Sequence, residues 1–350
     1  MSKHGFDIMD KTISEINVTI REYIAFLCGN DPRLIIQNEH LKFDRYDINC
    51  IECVSDIIDR KNYNKKHKIK VNEKRNIEIV KKFVEVLSKN FDEEDLTFLF
   101  NNLSKIEFKT LFFPIYKGRY MSEENKILLL RKVPEWIVIH ELFHMASTNT
   151  NVFPFNGGFR LITDDRKSAI GNGLDEGFTD VMTHRYFFKE QPISEVVSYP
   201  YEYLVARSLE YIVGQRTMEK SYLRADLRTV VCEMLKYSGK NDVELFLKNT
   251  DYVIQDNIRE AFSIGAPKEK TEYLNDRKRE IADFLLNIFY EKYKDDENYD
   301  ERLREFKEIM TMNLPLEIAD ECKEYDRIIN VSVTDDDYIE NYLKKKTNNK

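Results

Sequence analysis

The chain of 350 residues is longer than most single domains, and with 42% hydrophobic and 12% aromatic residues it can bury a sizeable core without covalent staples. Charged residues make up 33% of it yet sum to only −8, a balance that does not mark out a nucleic-acid binder. Charged side chains break every apolar stretch between Met1 and Asn30, and no run approaches the ~20 apolar residues a bilayer requires, so neither a signal peptide nor a membrane span is expected.

Five cysteines (Cys28, Cys50, Cys53, Cys232 and Cys322) form an odd, sparse set, which points to a reducing, cytoplasmic setting for a soluble protein. Cys50 and Cys53 have metal-motif spacing but lack a second pair or a nearby histidine, so they read as ordinary helix residues. Residues 6–60 carry apolar positions at helical spacing, and a basic, Asn-rich connector follows from Arg60 to Lys70. Helical periodicity resumes in IEIVKKFVEVLSKNF, after which Ile106–Lys132 reads as strands around Phe112 and Leu129 joined by turns.

Pro134 then stands where a first helical turn tolerates proline, and EWIVIHELFHMAS runs on without Gly or Pro, predicting a helix. A loop or hairpin rich in Asn, Gly and Asp covers Asn149–Gly173, and a second helix starts near Leu174. From there to about Lys345 nearly every segment has helical spacing, with breaks near Pro192, Pro200, Ser238–Asn241, Pro267 and Asp295–Asp300.

The sequence HELFH at 140–144 carries the chemistry. Residues four apart on a helix share a face, so the imidazoles of His140 and His144 can converge on one cation. Glu141 projects beside that ion, where a carboxylate can take a proton from an activated water and pass it to a leaving group. Catalytic zinc takes three protein ligands and keeps a position open, so a third donor is needed. Ser147 and Thr150 stand where the extended metzincin motif needs Gly and His, which excludes that branch. Downstream, LDEGFTD at 174–180 offers Glu176, with Asp180 one turn later.

HELFH followed by DEGFTD resembles the gluzincin, or thermolysin-like, zinc metallopeptidases. The resemblance covers about residues 105–215 and implies one Zn2+ held by His140, His144 and Glu176, with Asp180 holding His140. An imidazole ligand commonly donates its other N–H to a carboxylate, in agreement with that assignment. Gly177 is expected to let the second helix approach the first. The implied fold is α+β and predominantly helical. An N-terminal helical region (1–104) precedes a zincin-like core (105–215), in which a small mixed sheet packs on the HELFH helix, and a C-terminal helical lobe (216–350) follows.

The implied activity is peptide-bond hydrolysis, with zinc and Glu141 activating water and a peptide or protein as substrate. An extended substrate would align on the strand Lys126–Leu130 as sheet edge. The intermediate's oxyanion needs a further donor, and RKSAIGNGL has no aromatic residue to supply it. Tyr201 is the expected donor, with Tyr199 second and His184 a third possibility. The alternative reading is a non-catalytic zinc-binding or interaction protein that keeps the fold. A purely structural ion would have no use for Glu141 and would favour a closed fourth position.

Overall fold

The computed structural model describes residues 71–103, 106–111, 117–149, 156–162, 169–262, 268–318 and 327–348. The helices expected over 6–60, the connector Arg60–Lys70, the strand position at Phe112, the break at Pro267 and Cys28, Cys50, Cys53 and Cys322 lie outside them. Among the described residues the chain is α+β and mostly helical, and no helix is long and apolar enough to cross a membrane.

Helices α1 (Val71–Asn90) and α2 (Thr97–Leu103) lead into strands β1 (Glu107–Leu111), β2 (Gly118–Met121) and β3 (Lys126–Leu130). The sheet order is β1-β3-β2, with β3 parallel to β1 and antiparallel to β2. β3 is therefore the central strand, which corrects the expectation that Lys126–Leu130 forms an edge. The edge on the site's side is β2. Its turn to β3 passes through Asn125 at φ 45°, a left-handed conformation that asparagine tolerates better than most residues.

Helix α3 (Glu135–Ala146) begins directly after Pro134, which supplies a fixed φ where no helical N–H bond is lost. It is buried from Ile137 through Ala146, so it behaves as an interior helix and not as an amphipathic one. Asn102 of α2 caps its end by donating to the carbonyls of Met145 and Thr148 at 2.8 and 2.7 Å. The segment read as a loop or hairpin contributes hairpins to a second antiparallel sheet, with β4 (Thr148–Asn149), β5 (Asn156–Gly157), β6 (Arg160–Ile162) and β7 (Ala169–Ile170) paired in that order.

Helix α4 (Asn172–Phe187) is also buried over most of its length. Its first orphan N–H groups, those of Gly171 and Gly173, are taken by Asp251 at 2.9 Å each. The remaining helices are α5 (Ile193–Val196), α6 (Pro200–Val213), α7 (Gln215–Leu223), α8 (Leu227–Leu235), α9 (Lys240–Phe262), α10 (Lys268–Tyr293), α11 (Tyr299–Thr311) and α12 (Asp336–Asn348). Helical spacing over the C-terminal third concealed one feature: β8 (Leu314–Ile318) and β9 (Arg327–Val331) form an antiparallel pair.

Two aromatic clusters fix α4 in place. Phe83 of α1, Phe143 of α3 and Phe187 of α4 meet with ring centroids 4.9, 5.5 and 5.9 Å apart, locking the two site helices to α1. Phe159, Phe178 and Tyr222 meet at 5.2–5.5 Å and tie the β5–β6 turn and α7 to the other side of α4. Glycine permits the closest approaches. A Cβ on Gly173 would lie 2.4 Å from the carbonyl oxygen of Thr250 in α9, and one on Gly177 would lie 2.2 Å from that of Glu202 in α6. Gly177 therefore makes room for α6, not for α3 as the sequence suggested.

Candidate metal centre

Helices α3 and α4 bring the donors of His140, His144 and Glu176 together, all within 4.8 Å of one another. Nε2 of His140, Nε2 of His144 and Oε2 of Glu176 form a triangle with every edge 3.1 Å. A tetrahedral ion with ligands at about 2.0–2.1 Å separates them by roughly 3.3 Å, so the spacing suits a bound metal ion.

The other ring nitrogens face carboxylates. Nδ1 of His140 lies 2.8 Å from Oδ1 of Asp180, and Nδ1 of His144 lies 3.3 Å from Oδ2 of Asp175. Both carboxylates are fully buried. Each ring therefore turns its Nε2 toward the other ring and toward Glu176. A proton can bridge one edge of this triangle at a time, whereas a divalent cation accepts a lone pair from every corner. The residues present thus fit a metal ion of the His/His/carboxylate type.

The electrostatics point the same way. Burial alone would lower the basicity of His140, but the Asp180 and Glu176 carboxylates outweigh it and hold the ring well above its ordinary range. Burial likewise opposes charge on His144, and Glu176 and Asp175 nevertheless raise its pKa to about 9. Burial also opposes charge on Glu176, yet the two rings hold it well below the carboxylate range. This cluster of buried carboxylates favours positive charge at the point where the donors converge.

Glu141, 7% exposed, stands beside the triangle without joining it. Its Oε2 accepts the backbone N–H of Tyr120 in β2 at 2.6 Å, and burial pushes its pKa above the usual carboxylate range. Gly118 makes that approach possible, since a Cβ there would lie 2.6 Å from Cγ2 of Ile137 and 3.0 Å from Oε1 of Glu141. His140, Glu141, His144 and Glu176 all line a cleft of about 1020 Å3 bounded on one side by β2.

The expected tyrosine donor is displaced. Tyr201 is 1% exposed, its hydroxyl has no hydrogen-bond partner among the described residues, and it is not one of the cleft residues. It follows Pro200 into α6 and points into the core. Tyr199, just before that helix, lines the cleft with its ring centroid 6.0 Å from that of His140. Its phenol is held well above its ordinary range, first by the charge of Glu176 and then by burial. His184 lies outside the cleft and contacts the carbonyl of Gln191 at 3.1 Å.

One residue that sequence reasoning did not assign completes the arrangement. Asp175 supports His144 and also accepts the N–H of Phe159 at 2.9 Å, so it ties the β5–β6 turn to the site. It stands directly before Glu176 in the DEGFTD motif, and that adjacency was the available signal. Asp180, expected to hold His140, does more than that. Through the oxygen not facing His140 it accepts the N–H groups of Ser198 and Tyr199 at 2.8 Å. Comparisons with protein families, with curated proteins and with solved structures return no match for this chain.

Proposed function

We propose that the protein is a zinc-dependent peptidase of gluzincin type. One observation carries the reading: two imidazoles and a carboxylate, their outer faces braced by buried acids, converge beside a further unligated glutamate in an open cleft. A purely structural ion would need neither the cleft nor Glu141.

His140, His144 and Glu176 would hold the ion. Zinc bound there supplies Lewis acidity, which acidifies water and polarises a carbonyl. Glu141, steered by the Tyr120 N–H, takes a proton from the attacking water and returns it to the leaving nitrogen. Burial raises its proton affinity, which suits a group that must both accept and release a proton. Tyr199 donates its hydroxyl to the oxyanion that develops at the attacked carbonyl. An extended peptide lies along β2, whose outer edge faces the cleft, and pairs with it through main-chain hydrogen bonds.

The test is Glu141→Gln assayed for both metal and turnover. Zinc content should stay near one ion per chain while cleavage of a broad peptide library falls by at least about a hundredfold. Fully zinc-loaded wild-type protein that cleaves no peptide in that library would favour the non-catalytic reading.

A further inference from the structure

The cleft is lined by cations as well as by carboxylates. Arg160, the first residue of β6, lines the same cavity as His144 and Glu176. Its guanidinium forms no ion pair among the described residues. Among the described residues, Arg185 reaches Glu210 and Glu219 at 2.6 and 2.8 Å, and Arg224 reaches Asp95 at 2.7 Å. A guanidinium is the side chain best shaped to clasp a carboxylate through two parallel bonds.

The surroundings fix where such a carboxylate would sit. The turn preceding Arg160 is held rigidly, because Gly158 adopts φ 53° and the next N–H is bonded to Asp175, the acid behind His144. Tyr120 of β2 lines the same cavity as Arg160. The amide of Tyr120 is the group that holds Glu141. Asn172, opening α4, lines the same cavity and adds a side-chain amide.

We infer that Arg160, assisted by Asn172, binds a carboxylate of the substrate close to the scissile bond, so that the enzyme prefers peptides with an acidic group there. The inference rests on the peptidase reading for its meaning in turnover, but the carboxylate site itself does not. The group can be an Asp or Glu side chain or a free C-terminus. Both present the same planar anion.

Two matched peptide sets test this. One exchanges Glu for Gln at each position flanking the bond, with amidated C-termini. The other compares free with amidated C-termini in peptides lacking acidic side chains. Binding is measured on zinc-loaded Glu141→Gln protein, and kcat/KM on the wild type. In one set the acid should be favoured over its amide by about tenfold or more, both in affinity and in kcat/KM. That ratio should fall to about one in Arg160→Gln, remain above one in Arg160→Lys, and reverse in Arg160→Glu. The set that shows the ratio identifies the source of the carboxylate. Equal affinities in both sets for the wild type, or a ratio that survives Arg160→Gln, would overturn the assignment. Arg160-dependent selection of the acid in binding without any cleavage would sustain the carboxylate site and overturn the peptidase reading instead.

Discussion

Asp180 and Tyr199 are joined through backbone. One carboxylate oxygen of Asp180 accepts the Tyr199 N–H at 2.8 Å while the other holds Nδ1 of His140, also at 2.8 Å. A single buried side chain thus sets the orientation of a ring in the candidate metal centre and the position of the tyrosine beside it.

Asp180→Asn should therefore show two effects. An amide cannot accept from both sides, so zinc affinity should fall about 10- to 100-fold, as expected when the partner of a ligating imidazole is lost. At saturating zinc, kcat should also fall because the backbone at 198–199 is no longer anchored. Chelator competition reads the first effect and steady-state kinetics the second. Unchanged zinc affinity would contradict the anchoring role.

The two tyrosines separate by the same logic. Tyr199→Phe should lower kcat by about 10²–10³-fold, the usual cost of losing an oxyanion donor, with zinc content unchanged. Tyr201→Phe should leave kcat alone and can stabilise the fold by about 1 kcal/mol, because it removes a buried hydroxyl without a partner among the described residues. Kinetics on both variants together with urea unfolding of the second decide the matter.

Glu176→Ala should lower zinc occupancy sharply, since two imidazoles alone do not make a catalytic zinc site. His184→Ala should leave occupancy unchanged, because His184 stands outside the cleft. Metal analysis after dialysis against a weak chelator distinguishes them. Full occupancy in the Glu176 variant would move the third-ligand role elsewhere.

Asp251, which takes the first N–H groups of α4, gives a pH dependence of its own. Burial raises its pKa from 3.8 to about 7, against the pull of the α4 N–H groups. The unfolded chain therefore ionises this group first as pH rises. Its contribution to stability is greatest below about pH 4, declines between there and about 7, and is flat above. Across that interval stability falls by roughly 1.4 kcal/mol for each pH unit, a few kcal/mol altogether. Asp251→Asn should remove that slope, which urea unfolding from pH 4 to 8 would reveal. A wild type whose stability rises relative to the variant over this range would show the opposite sign.

Much of the site was legible because its helices carry local signals. Pro134 marks the start of α3, and no Gly or Pro interrupts the residues up to Ala146, so the spacing of His140 and His144 translates directly into a shared face. Tertiary choices were less visible. Tyr199 and Tyr201 have the same composition around them, and only the start of α6 at Pro200, with the bond from Asp180, sends one to the cleft and the other to the core. The strand Lys126–Leu130 is apolar because it is central, and the polar Gly-Arg-Tyr-Met of β2 is the edge. Gly177 marked a close helix approach correctly, but sequence does not say which helix approaches.

The glycines of α4 have a wider consequence. With Gly173 pressed to the backbone of Thr250 and Gly177 to that of Glu202, the helix has no freedom to rotate or slide. Asp175, Glu176 and Asp180 consequently point in directions fixed by the neighbours of α4 as much as by the helix itself. A protein sharing this architecture would be recognised by G-x-D-E-G-x-x-D at one remove from the paired histidines, and drift at either glycine would require compensating change in α6 or α9 before any ligand changed.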